Sequence, residues 1–180
     1  MKKTTLFSIM GTLVFAATAA LATQVIQRTP QELAQESALI VEGTVTGVRS
    51  YWNDDHSKIF TEATVAVGST YKGRGGSTIR VVQPGGVVGN VRMTAHGALA
   101  WSRGEDVLLM LEPAFPGTFQ IAGFSQGKYA IERDARTGKA FVQQALPPDV
   151  EGAGTPATNN AASKERVTIE QFINQVLPQN

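Results

Sequence analysis

Residues 38–49, Ala-Leu-Ile-Val-Glu-Gly-Thr-Val-Thr-Gly-Val-Arg, and residues 59–71, Ile-Phe-Thr-Glu-Ala-Thr-Val-Ala-Val-Gly-Ser-Thr-Tyr, decide the fold class. Both are rich in Val, Ile and Thr, both alternate with period two, and glycine interrupts each. In the first, Leu39, Val41 and Val45 share one side and Ile40, Glu42, Thr44 and Thr46 the other. In the second, Ile59, Thr61, Ala63, Val65 and Val67 share a face. A long, bent first pair of strands is what a small closed barrel requires, because one strand then serves both sides of the closure.

Outward from this pair the pattern stays β. Residues 51–58 form a polar turn, and Lys72-Gly73-Arg74-Gly75-Gly76 is a flexible one. Further strands are predicted over 78–83, 106–111, 118–124, 128–133 and 140–144. Pro84-Gly85-Gly86 punctuates, and 87–94, with Gly89-Asn90 in its middle, reads as a small hairpin or a glycine-kinked excursion. No stretch in between has helical period. Many short strands without βαβ alternation predict a mainly β domain, a small antiparallel Greek-key barrel of about five to six main strands. A β-sandwich is the alternative.

Two short helices bracket the barrel. Thr29 is a good N-cap, Pro30 suits the first helical position, and Glu32 completes a capping box for a helix running to about Ser37. At the other end Thr168 caps and Gln171 closes the box. Ile169, Phe172, Ile173, Val176 and Leu177 then fall on one stripe before Pro178. That amphipathic helix either docks back on the barrel or lies in a groove of a partner. Between barrel and helix, residues 146–166 are dominated by Pro, Ala, Gly, Thr and Asn and read as a flexible linker. The expected organisation is a barrel domain over 23–145, the linker, and the helix over 167–177.

Residues 1–22 read as a secretory signal: Lys2 and Lys3, an apolar run from Leu6 to Ala20, and a small-x-small cleavage site ending at Ala22. The apolar run is too short for the roughly 20 residues that a membrane span needs. The chain contains no cysteine, so no lipidated N-terminal Cys would hold the mature form on a membrane. The mature protein is expected to be secreted or periplasmic, held together by its core without disulfides. Loss of Lys2 and Lys3 lowers Lys plus Arg from 16 to 14 against 15 Asp plus Glu, a formal charge of −1. That balance argues against nucleic acid as a partner.

The segment Ser37-Ala38-Leu39-Ile40-Val41-Glu42-Gly43-Thr44-Val45, following a short helix, resembles the opening of netrin-like domains. Tyr71-Lys72-Gly73 is similar to the same family's exit from its second strand. Related patterns recur in exported bacterial proteins of unassigned function, which are the closer likeness. The resemblance covers about residues 31–144 and implies an OB-fold barrel, the architecture shared with tissue inhibitors of metalloproteases. Those inhibitors use an N-terminal cysteine on the target's zinc. This chain has none, so that mechanism transfers to no residue here.

Several enzyme motifs occur, and each has a plainer explanation. Gly123-Phe124-Ser125-Gln126-Gly127 matches G-x-S-x-G, which needs a helix after the serine. Here a strand is predicted to follow, and both histidines, His56 and His96, precede it. Ser69 with Lys72 and Ser125 with Lys128 fit S-x-x-K, but on strand ends rather than on a helix turn. Asn53-Asp54-Asp55-His56 lacks the spaced acidic ladder of a calcium loop and reads as a solvated turn. No cofactor, metal site or catalytic residue is assigned, and the chain is read as non-enzymatic. The alternatives are a small secreted hydrolase built on Ser125 or on carboxylates, and a protease-inhibitor-like module.

A binding face is the better candidate. Tyr51 and Trp52 lie at the end of the first strand, and Arg92, His96 and Trp101 cluster after the hairpin. Exposed aromatics with an arginine suit a protein interface or a stacking platform for glycan. The competing explanation is that Trp101 plugs the barrel end and Trp52 covers its rim. Protein or glycan in the envelope or medium is the expected partner.

Overall fold

Segments that alternate apolar and polar residues bury one face each, and here they do so by curling into a ring. The computed structural model describes residues 27–145, 147 and 166–177. The expected signal peptide and, apart from Pro147 and Arg166, the expected linker lie outside these residues. The described elements are α1 (Pro30–Glu36), β1 (Leu39–Trp52), β2 (Ile59–Lys72), β3 (Thr78–Pro84), β4 (Gly86–Val88), β5 (Val91–Met93), β6 (Asp106–Pro113), β7 (Phe119–Ile121), β8 (Lys128–Arg133), β9 (Ala140–Gln144) and α2 (Ile169–Val176).

β1 pairs antiparallel with β2, and β2 with β3. β3 meets β7, β7 turns back on β6, and β6 returns to β1, which closes a ring of five strands. β1 serves both sides of this closure as its length requires. Its residues 39–44 pair with β6 while residues 40–52 pair with β2. Register shifts at Glu42/Gly43 and Val45/Gly47 supply the bend.

Two expectations need correcting. The barrel is not wholly antiparallel, because β3 and β7 pair in parallel through Val81 and Phe119. Nor does the sheet divide into the two stacked layers of a sandwich, since β1 pairs back on β6 and closes five of its strands into a ring, with β8 and β9 continuing beyond β6. Some boundaries also move. β1 continues past Arg49 to Trp52, so the polar turn starts at Asn53. β7 is shorter than predicted because Gly123 and Phe124, at φ 61° and 70°, turn the chain sharply before β8.

Inside the ring pack Val41, Val65, Val81, Leu109, Leu111 and their neighbours. A second cluster forms outside it, where Leu33 of α1 and Ile169, Phe172 and Val176 of α2 cover Ile40, Leu108, Met110 and Tyr129. The run Val107 to Leu111 is therefore buried on both faces, one by the barrel and one by the helices. α2 docks on its own barrel. Its stripe is occupied within the molecule, which removes the partner-groove alternative for that face in this structure. The tail also joins the sheet edge, with Val142 N donating to Val167 O at 3.0 Å. Among the described residues no helix is long and apolar enough to cross a membrane.

Candidate functional site

One end of the barrel is covered by the β4–β5 hairpin and the segment 94–105. The chain leaves β3 unusually close to β1 and β2. A Cβ at Gly86, whose φ is 142°, would lie 2.5 Å from both Ser50 Oγ and Thr61 Oγ1. Only glycine fits there. Thr61 Oγ1 donates to Gly85 O at 2.7 Å, which fastens the start of the hairpin to β2. The hairpin then pairs Val87 with Arg92 and Val88 with Val91 around Gly89-Asn90.

The returning segment is held by two side chains. Gln83 binds Leu99 through both of its backbone groups, at 2.7 and 3.2 Å. Lys128, only 1% exposed, donates its ammonium to Ala100 O at 2.7 Å and to the Glu105 carboxylate at 2.8 and 3.0 Å. The same ammonium lies 4.2 Å from the centre of the Trp101 ring. Burial pushes the Lys128 pKa below its ordinary value, and the hydrogen bond and charge of Glu105 oppose that shift. Trp101 is half-buried and packs against the barrel core.

Between hairpin, segment and barrel lies a cavity of about 390 Å³, lined by Val48, Thr61, Gln83, Val87, Arg92, Met93, Thr94, Ala95, Ala98, Leu99 and Trp101 among others. Its size falls in the ordinary range of ligand pockets. Val48 and Val87 on its wall are 42% and 46% exposed, so its mouth offers apolar surface to solvent.

The five predicted face residues are divided by the structure. Arg92 and Trp101 line this cavity together. Tyr51 and Trp52 do not. Tyr51 instead stacks on Phe60 at 6.3 Å with the Arg49 guanidinium 5.2 Å from its ring, and Phe60 meets Phe115 edge-on at 5.5 Å. Trp52 stacks on His56 at 6.1 Å near the β1–β2 turn. His96 is exposed in the covering segment and does not line the cavity. Sequence reasoning missed Val48, Val87, Met93, Thr94 and Leu99. Only the apolar residues flanking Gly85-Gly86 and Gly89-Asn90 hinted at them.

The enzyme motifs resolve into structural roles. Ser125 sits in a tight turn, its N–H bonded to Gly123 O at 2.9 Å, and the chain enters β8 rather than a helix. Lys128 is committed to Ala100 and Glu105. Lys72 Nζ donates to Ala34 O and Gln35 O at 2.8 and 2.7 Å, at the C-terminal end of α1. Neither lysine is engaged with the serine of its motif. In the Asn53 turn, Asp55 accepts Ser57 N and Oγ at 3.0 and 2.6 Å, which holds its pKa below the ordinary carboxylate value. Among the described residues no three His, Asp or Glu side chains converge to hold a metal. The acidic pair Glu42 and Asp106 is bridged by Arg133 at 3.0 and 3.2 Å, with Tyr71 and Thr44 donating to the two carboxylates at 2.8 and 2.6 Å.

Compared with known proteins, the chain matches no family model and no curated sequence.

Proposed function

We propose that the chain is an exported, non-catalytic binding module on an OB-type, netrin-like barrel, and that it engages a protein partner at the cavity beneath the β4–β5 hairpin. Support for the barrel type comes from the ring order β1-β2-β3-β7-β6 with a single parallel pair between β3 and β7. Export rests on the pattern of residues 1–22.

The observation that carries the binding site is the cavity itself. It brings Arg92 and Trp101 together beside the exposed apolar side chains of Val48 and Val87. Glycan is the weaker choice of ligand. The Gln83 amide is bound to Leu99 and the Thr61 hydroxyl to Gly85, whereas a sugar needs many hydrogen-bonding partners.

The test is site-specific photo-crosslinking in the native exported fraction, with the crosslinker at Val87 and, as control, at Thr137 on the remote β8–β9 turn. A discrete protein adduct from position 87 alone is expected. Equal adducts from both positions, or none, would sink the proposal.

A further inference from the structure

We infer that the cavity under the β4–β5 hairpin selects an apolar group that carries a single carboxylate. This rests on the proposed site and names what it recognises. Among the described residues that line the cavity, Arg92 is the only charged one. Its side chain is exposed at the cavity wall, and its guanidinium makes no hydrogen bond or ion pair with any described residue. The Thr94 hydroxyl, just past the end of β5, likewise has no partner among the described residues.

Arg92 in β5 and Thr94 just beyond it both line the cavity. Together they offer the planar donor pair and the hydroxyl that a carboxylate accepts. Of the other polar side chains of the wall, Gln83 is used by Leu99 and Thr61 by Gly85, while the Trp101 indole N–H has no partner among the described residues. What remains is apolar: Val48, Val87, Met93, Leu99 and the ring of Trp101.

Trp101 reinforces the sign. A ring normally offers a negative face to ligands. Here the Lys128 ammonium, its charge balanced by Glu105, already sits 4.2 Å from the ring centre, so that face is not free to hold a ligand cation.

The same chemistry occurs in a free aliphatic acid and in the C-terminus of an apolar peptide. The probes are octanoate, 1-octanol, and N-acetyl-Ala-Leu-Val as free acid and as amide. Each is titrated against the Trp52→Phe chain, in which Trp101 is the only remaining indole, with Trp101 emission as readout. Octanoate should bind saturably and about tenfold more tightly than octanol, and Arg92→Gln should remove that advantage while leaving the fold unchanged by circular dichroism. Preference for the peptide acid over its amide assigns the carboxylate to a chain terminus. Binding of octanoate with no such preference assigns it to a free acid.

Equal binding of octanoate and octanol would overturn the carboxylate and leave the cavity as the site. No binding by any probe would also overturn it. In that event, a surviving crosslink at Val87 would preserve the proposed site, and its absence would remove both.

Discussion

The ammonium of Lys128 lies 4.2 Å from the centre of the Trp101 indole while donating to Ala100 O and to Glu105. One buried cation thus pins both the residue before the indole and the indole itself across the barrel end. Because Trp101 lines the cavity, the stability of this cluster and the shape of the site are coupled.

Lys128→Met should therefore cost about 2–4 kcal/mol, since it leaves the Ala100 carbonyl without its donor and Glu105 without its cation. The partial exposure of Glu105, at 23%, keeps the figure below that of a fully buried pair. Urea unfolding with an unchanged midpoint would refute the cluster's role.

Tyr129 is 4% exposed, and its hydroxyl has no partner among the described residues. Its ring packs at 4.7 Å against Phe172 of α2. Tyr129→Phe keeps that contact and removes a buried, unsatisfied group, so the variant should gain about 1 kcal/mol at neutral pH. A loss of similar size in denaturant titration would show that the hydroxyl is bonded.

Burial also raises the Tyr129 pKa to about 12. The unfolded chain ionises near 10, so between these values the folded state binds more protons than the unfolded one and stability falls as pH rises. Ionisation of Tyr129 leaves stability unchanged below pH 10 and should lower it by about 2–3 kcal/mol by pH 12. The lowered Lys128 pKa acts oppositely, its penalty easing as pH approaches 10.5. Tyr129→Phe should flatten the alkaline decline, leaving the part due to Tyr71, whose pKa burial and Glu42 also raise to about 12. Identical alkaline unfolding curves for the two proteins would contradict this.

Phe124 holds a left-handed backbone, φ 70°, and its ring covers Gly97, itself at φ 75°. A Cβ at Gly97 would lie 2.4 Å from that ring. Gly97→Ala should cost about 1–3 kcal/mol through backbone strain and the clash. In Phe124→Gly, which removes the ring, the same substitution should cost measurably less. Strictly additive effects in the double-mutant cycle would mean that the two residues do not touch.

Phe172→Asp should detach α2 without unfolding the ring, because the first core cluster contains no α2 residue. Limited proteolysis is expected to remove the tail while the barrel survives. Cooperative loss of both would show that the helix is integral to the barrel's stability.

Local chemistry made much of this legible beforehand. Thr29 with Glu32 and Thr168 with Gln171 form the capping boxes that their spacing announces. Val45, Ala63 and Val65 are buried on the faces that their alternation assigned. The site was harder. Arg92 and Trp101 were chosen as an exposed aromatic-and-arginine cluster and do share a cavity, but Tyr51, Trp52 and His96 do not join them. Lys128 looked like half of an S-x-x-K pair, and nothing in its neighbourhood pointed to Glu105 or Trp101.

Sequence by itself determined the secondary structure, its caps and turns, and the choice of a mainly β barrel, because these depend on residues a few positions apart. Tertiary structure alone decided the parallel closure of β3 on β7, the docking of α2, the burial of the Lys128 ammonium and the separation of Tyr51 from the cavity. Each of these depends on contacts between residues far apart in the chain, and a two-residue alternation tells which face a side chain takes but not what the fold places opposite it.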